Sequence, residues 1–253
     1  MKKLLAALAF LLAPVMAQAN LINGGFETGN FTGWQTIGDA LVVDSSIGTP
    51  PAGATYQALI TTAPSDPPFR QHPQNYSGTN SVSALCTSVP GFIDPLEAFL
   101  GLPNCSLKNL AAVIDPFTPS AWEGSAIKQT FTGNVGDVLS FSWNFLTDEG
   151  LQSDFAFVVL DGTLSLLAHF STVSPGSGTP FLNESGYHVF GAILPTGGVH
   201  SIGVGVVDGF IDPAVNSALL VDNFFVTKIP EPASWWLLGL GLMGMARVGR
   251  RIA

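Results

Sequence analysis

The sequence predicts an all-β fold, an antiparallel two-sheet β-sandwich. Three observations carry this. Apolar residues recur at every second position through the middle of the chain. The 253 residues include 28 glycines and 18 prolines, so turns are frequent. Between the alternating runs no convincing helical pattern intervenes.

Strands are expected first at about 37–43 and 54–61. Patterning then fades over about 62–121, and eleven of the 18 prolines fall between Pro50 and Pro119. This stretch is read as a large loop insertion. It holds Cys86 and Cys105, the two cysteines of the chain, and in an oxidising compartment the default is one disulfide closing a loop of 18 intervening residues. Metal binding would need more ligands than two distant thiols, and a thiol nucleophile would need a partnered base.

A strand at 125–132 precedes the turn segment 132–137. In VLSFSWNF, Leu139, Phe141, Trp143 and Phe145 alternate with Ser140, Ser142 and Asn144, the mark of a strand with one buried and one polar face. In DFAFVVL, Phe155, Phe157 and Val159 alternate up to Asp161-Gly162, a favoured hairpin dipeptide, which leads into 164–170. A strand at 186–194 follows, then SIGVGVV, where Ile202, Val204 and Val206 alternate with glycines, then a last strand at 217–227. Gly-Phe-Ile-Asp-Pro occurs at 91–95 and 209–213 in unrelated surroundings, one turn used twice or a coincidence.

Both ends read as addresses. Lys2 and Lys3 precede an apolar run, and Ala17-Gln18-Ala19 supplies the small residues of a signal-peptidase site, so the exported chain is expected to start at Asn20. At the other end an uncharged apolar segment from Ala233 to Met245 is closed by Arg247, Arg250 and Arg251. Thirteen residues rise only about 20 Å as a helix, against a hydrocarbon core of about 30 Å, which suits a transient anchor with its basic end in the cytoplasm. Residues 20–229 hold 17 of the 18 acidic residues and four of the nine basic ones, a net charge of −13. Such a body does not bind nucleic acid, which requires a basic face, and the 18 phenylalanines and five tryptophans exclude a disordered chain.

Pro230-Glu231-Pro232, the short apolar helix and the terminal arginines together resemble the PEP-CTERM sorting signal of Gram-negative bacteria that secrete exopolysaccharide. The resemblance implies recognition by an exosortase-type membrane protease, removal of the tail and delivery to the cell surface or extracellular matrix. The organisation it suggests is a signal peptide at 1–19, a β-sandwich at 20–229 and a short transmembrane sorting helix within 230–253.

LINGGFETGNFTGW at 21–34 resembles the opening of jelly-roll carbohydrate-binding modules, and LLVDNFFVT at 219–227 is similar to their closing strand. In those modules an acidic residue from each end often holds a structural calcium, which would here be Glu27 and Asp222; calcium takes six to eight oxygens. The other reading is that both simply bind backbone amides at strand ends.

Further candidates come from residue type. Asp148, Glu149 and Asp154 crowd a loop between two strands, where they could hold calcium, meet a sugar hydroxyl or form a solvated acidic loop. Trp122, Tyr56 and Tyr76 lie in or near loops and could offer flat rings to a sugar, whereas Trp34 and Trp143 belong to the frame and the core. His72, His169, His188 and His200 are scattered, without zinc or triad spacing. No catalytic residue is assigned. The sequence therefore points to an exported structural or adhesive protein that binds exopolysaccharide or a surface glycan. The alternatives are a secreted polysaccharide hydrolase and an architectural matrix component without a small ligand.

Overall fold

Gly38 decides the first step of the architecture. The run expected as one strand at 37–43 breaks there, at φ +78°, into β1 (Gln35–Ile37) and β2 (Asp39–Val43), which enter different sheets. Only glycine fits the crossing: a Cβ on Gly38 would lie 2.2 Å from Ser125 Oγ. The Asp39 N–H beyond it donates to that same hydroxyl at 2.9 Å.

The computed structural model describes residues 21–63, 77–87, 89, 91–148, 150, 154–209 and 216–228. The segment expected as a signal peptide, with Ala17, Ala19 and Asn20, and the tail with Pro230, Glu231, Pro232, Arg247, Arg250 and Arg251, lie outside these residues.

The described residues form two antiparallel sheets, as the alternation predicts. Sheet A runs β1, β5 (Glu123–Gly133), β12 (Gly198–Asp208), β7 (Phe155–Leu160) and β8 (Thr163–His169), with β4 (Val82–Ser83) also on β5. Sheet B runs β2, β3 (Gln57–Thr61), β13 (Ser217–Thr227), β6 (Val138–Thr147), β10 (Asn183–Glu184) and β9 (Ser174–Pro175), with β11 (His188–Ile193) pairing the other half of β6. The longest ladders join distant segments, Val204 opposite Ile127 and Leu219 opposite Phe145.

Phe141, Trp143 and Phe145 of sheet B meet Ile127, Val158, Ile202 and Val204 of sheet A in the central core. Each such side chain contributes about 1.5–3 kcal/mol when fully buried, and the serines between them turn outward because successive residues on a strand point to opposite faces.

The insertion differs from expectation. It is not loop throughout: it forms α1 (Pro95–Leu100) and α2 (Ser106–Ile114). Leu96, Leu100, Leu107 and Ala111 of these helices pack with Phe155, Phe157 and Val159 on the outer face of sheet A. The glycines that punctuate the strands there seat α1. A Cβ on Gly203 would lie 2.8 Å from Leu100 Cδ2, and one on Gly124 would lie 2.9 Å from Leu96 Cδ2. The disulfide expected between Cys86 and Cys105 is present, with Cα atoms 4.5 Å apart.

Cys105 offers α2 no side-chain cap. Glu97, fully buried at the base of α1, takes that role, accepting from Cys105 N (2.8 Å) and Leu107 N (2.9 Å). Burial pushes its carboxyl above the ordinary value of 4.5, opposed by those backbone donors and aided by the charge on Asp94. Glu97 thus binds its proton more tightly in the folded chain, so its contribution to stability is complete below the unfolded value and lost as pH rises through the folded one. Measured by urea unfolding, Glu97→Gln should gain on the wild type as pH rises from the ordinary glutamate range through the raised folded value. A difference that does not change with pH would contradict the assignment.

Candidate functional site

The opening residues 21–34 wrap the end of the sandwich where the last strand finishes. Phe26, fully buried, touches the rings of Phe31, Trp34 and Phe224. Trp34 Nε1 donates to Asn23 O at 3.2 Å, and Gln129 holds both backbone groups of Ile22, at 2.7 and 2.9 Å. Phe224 N donates to Gly24 O at 2.8 Å. This approach admits only glycine at position 24, because a Cβ there would lie 2.0 Å from Phe224 O.

The same packing brings the two acidic strand ends together. Glu27 Oε1 accepts from Thr55 N (2.9 Å) and Tyr56 N (3.0 Å), and these donors lower its pKa. Asp222 has no exposed surface; Oδ2 accepts from Gly53 N (2.5 Å) and Oδ1 from Asn223 N (2.6 Å). Burial, with a smaller push from the negative charge on Glu27, raises the Asp222 carboxyl to about 6 despite those donors. Two glycines bring their backbones close against these groups. A Cβ on Gly25 would lie 3.6 Å from Glu27 Cγ and 3.8 Å from Asp222 Oδ1, and one on Gly53 would lie 2.6 Å from Asn223 Oδ1. The two carboxylates offer oxygen ligands, the chemistry of a hard cation. Among the described residues no group of three or more His, Cys, Asp or Glu side chains gathers around a common point, so such a cation would also draw on amide and backbone oxygens.

The outer face of sheet B is covered at one end and open at the other. Ile47 and Phe181 pack over Leu59, Leu146, Ala218 and Leu220. Past them the bulge between Asp222 and Phe225 redirects β13, with Asn223 at φ +55°. Phe224 then turns inward at 4% exposure and Phe225 outward at 51%. Phe225 lies opposite Ser140, and Ser140 lies opposite Gly191, so an aromatic ring, a hydroxyl-bearing residue and a bare backbone follow in line across three strands. Val189 and Ile193 flank the line and are exposed. Sequence reasoning missed Phe225, although two adjacent phenylalanines on one strand cannot both face the core.

The other candidates fall in different places. Trp34 and Trp143 are buried as expected. Trp122 is half-buried, its main chain bonded to Asp208 and Ala84. Tyr56 is half-buried against the central core. Tyr76 and Glu149 lie outside the described residues, as does His72. Asp148 Oδ1 accepts from Leu182 N at 2.8 Å. Asp154 corrects the picture of a solvated acidic loop. It is fully buried, Oδ1 accepting from Gly209 N (2.9 Å) and Oδ2 from Ser217 Oγ (2.6 Å). His169 is half-buried and His188 stacks on Trp143 at 4.8 Å. His200 is the buried one, its Nδ1 2.6 Å from Asp161 Oδ2.

Residues 228–251 match the family model described as the PEP-CTERM protein-sorting motif. The motif indicates an exported chain sorted through the membrane to the cell surface. No curated protein matches the chain. Among solved structures, the chain is similar to the carbohydrate-binding module TmCBM61 in complex with β-1,4-galactotriose, at 12% identity and a TM-score of 0.42 over 84% of this chain and all of that one. It is also similar to the CBM22-1 xylan-binding domain of Xyn10C from Paenibacillus barcinonensis, at 11% identity and 0.36 over 85% and 99%. A third is the K3 cleaved adhesin domain of Lys-gingipain from Porphyromonas gingivalis w83, at 12% identity and 0.37 over 83% and 100%. At these values the likeness carries no argument about what this chain binds.

Proposed function

We propose that the exported body binds neutral carbohydrate, an exopolysaccharide or surface glycan, on the open end of the outer face of sheet B. The observation that carries this reading is Phe225, half exposed at the open end of the sheet face and in line with Ser140 and Gly191. The apolar face of a pyranose packs on such a ring, a contact worth about 1 kcal/mol, while Gly191 leaves the neighbouring surface without a side chain to obstruct the next ring. The acidic body disfavours polyanionic chains by repulsion. An exopolysaccharide pull-down with the full chain tests the reading. The wild type should be retained, and Phe225→Ala, a surface change, should weaken retention about five- to tenfold. Equal retention of the two would remove the platform.

The same reading gives Glu27 and Asp222 a structural calcium ion. Its support is the paired carboxylates without a cationic partner among the described residues, with the backbones of Gly25 and Gly53 close against them. The ion would tie the opening segment to the last strand, directly beside Phe225. The expected result is a higher melting temperature in calcium than in chelator, and loss of that shift in Asp222→Ala. Identical melting curves with and without calcium would leave the two residues as binders of backbone amides alone.

A further inference from the structure

We infer that the cleft between the free edges of the two sheets is a second glycan subsite, which takes the terminal ring of a neutral chain; this rests on the carbohydrate reading above. β8 is the edge strand of sheet A, and β11 lines the same side of sheet B. They leave a cleft of about 230 Å³. Thr163, Ser165 and Asp161 contribute one wall, Phe190 and Ala192 the other, and Val158, at 1% exposure, the inner end.

The walls are unlike each other in a way that suits a sugar. A pyranose has an apolar face and a rim of hydroxyls. Phe190, already stacked on Phe141 at 5.0 Å and so held in place, supplies the aromatic side. The two hydroxyls and the carboxylate supply the polar side.

Asp161 is built in advance for this. It sits at φ +50° in the Asp161-Gly162 turn, its N–H donates to Ser201 O (2.9 Å), and Oδ1 accepts from Ser201 N (2.8 Å). Oδ2 is fixed at 2.6 Å by Nδ1 of His200, which is 2% exposed and stacked on Phe131. The Asp161 side chain still exposes 37% of its surface. Each carboxylate oxygen keeps capacity for another donor, and a sugar hydroxyl bonded to an ionised acceptor gains about twice what a neutral acceptor offers.

Size and charge set the specificity. Pockets for larger ligands measure about 300–1,000 Å³, so this cleft suits one ring. Val158 and the central core close its inner end, which leaves a chain terminus as the fitting piece. A carboxylate on the wall disfavours uronic acids and sulfated sugars by like-charge repulsion.

Saturation-transfer NMR on the full chain in a non-glycosidic detergent tests this, with maltotriose, cellotriose and mannotriose as probes. Saturation should concentrate on one terminal ring of at least one probe. Asp161→Asn and Ser165→Tyr, the latter filling the cleft from an edge strand, should each weaken that signal about tenfold while Phe117→Ala, which removes an exposed ring that lines neither surface, leaves it in place, with melting temperatures confirming that each variant is folded. Saturation spread evenly along the chain overturns the cleft. So does a signal lost in Phe225→Ala and retained in the two cleft variants, an outcome that leaves the carbohydrate reading standing. Absence of signal from all three probes with polysaccharide still retained in the pull-down also overturns the cleft alone, whereas absence of both removes the cleft and the reading together.

Discussion

The double substitution Cys86→Ser, Cys105→Ser is expected to lower the free energy of unfolding by about 3 kcal/mol, the loop-entropy value for a bridge closing a loop of this length. The bridge lies at the root of the helical insertion, where Cys105 opens α2 in the left-handed region at φ +69°. Without it, α1 and α2 are held to sheet A by the apolar contacts of Leu96, Leu100, Leu107 and Ala111 and to each other by Glu97. The loss should therefore be local first. Amide exchange should accelerate in residues 95–114 before it does in β5 or β12. A fall of less than about 1 kcal/mol in urea unfolding would show that packing alone fixes the insertion.

Asp154→Ala is expected to cost a comparable amount, about 3 kcal/mol, for a different reason. The carboxylate joins three elements: the start of β7, the residue after β12 through Gly209 N, and the start of β13 through Ser217 Oγ. Removing it strands the buried Gly209 N–H and leaves Ser217 Oγ with Thr147 Oγ1 alone, at 2.7 Å; a buried donor left unmade costs about 1–3 kcal/mol. Asp154→Asn keeps one acceptor oxygen and should lose less. Glycan retention by either variant, measured below its melting temperature, should equal that of the wild type, because a fully buried carboxylate cannot reach a sugar. Weakened retention in a folded Asp154→Asn protein would return this residue to the binding surface.

Several features were legible from residue order alone. Alternation in VLSFSWNF showed which side chains face inward, because the strand period of two leaves no other arrangement for one buried face; in DFAFVVL it separated the two faces but not their sides, since Phe155, Phe157 and Val159 lie outward under the helices and Ala156 and Val158 enter the central core. Asp161-Gly162 announced its hairpin, and two lone cysteines in an exported chain announced their bridge. The helix α1 was also readable and was missed: Asp94-Pro95 at its start, Leu96 and Leu100 four apart, and Gly101 past its end form a complete start-and-stop pattern. The prolines of the surrounding insertion obscured it.

The sequence by itself determined the sheet-forming segments, the division of each strand into two faces and the sorting motif, since each depends on neighbours a few positions apart. Tertiary structure alone decided where those segments meet. It split one run at Gly38 between two sheets, buried Asp154, brought Glu27 to Asp222, turned Phe225 outward and set Asp161 against His200. These pairings join residues tens to nearly two hundred positions apart. Their energies come from desolvation and from contacts across the fold, which no local pattern along the chain encodes.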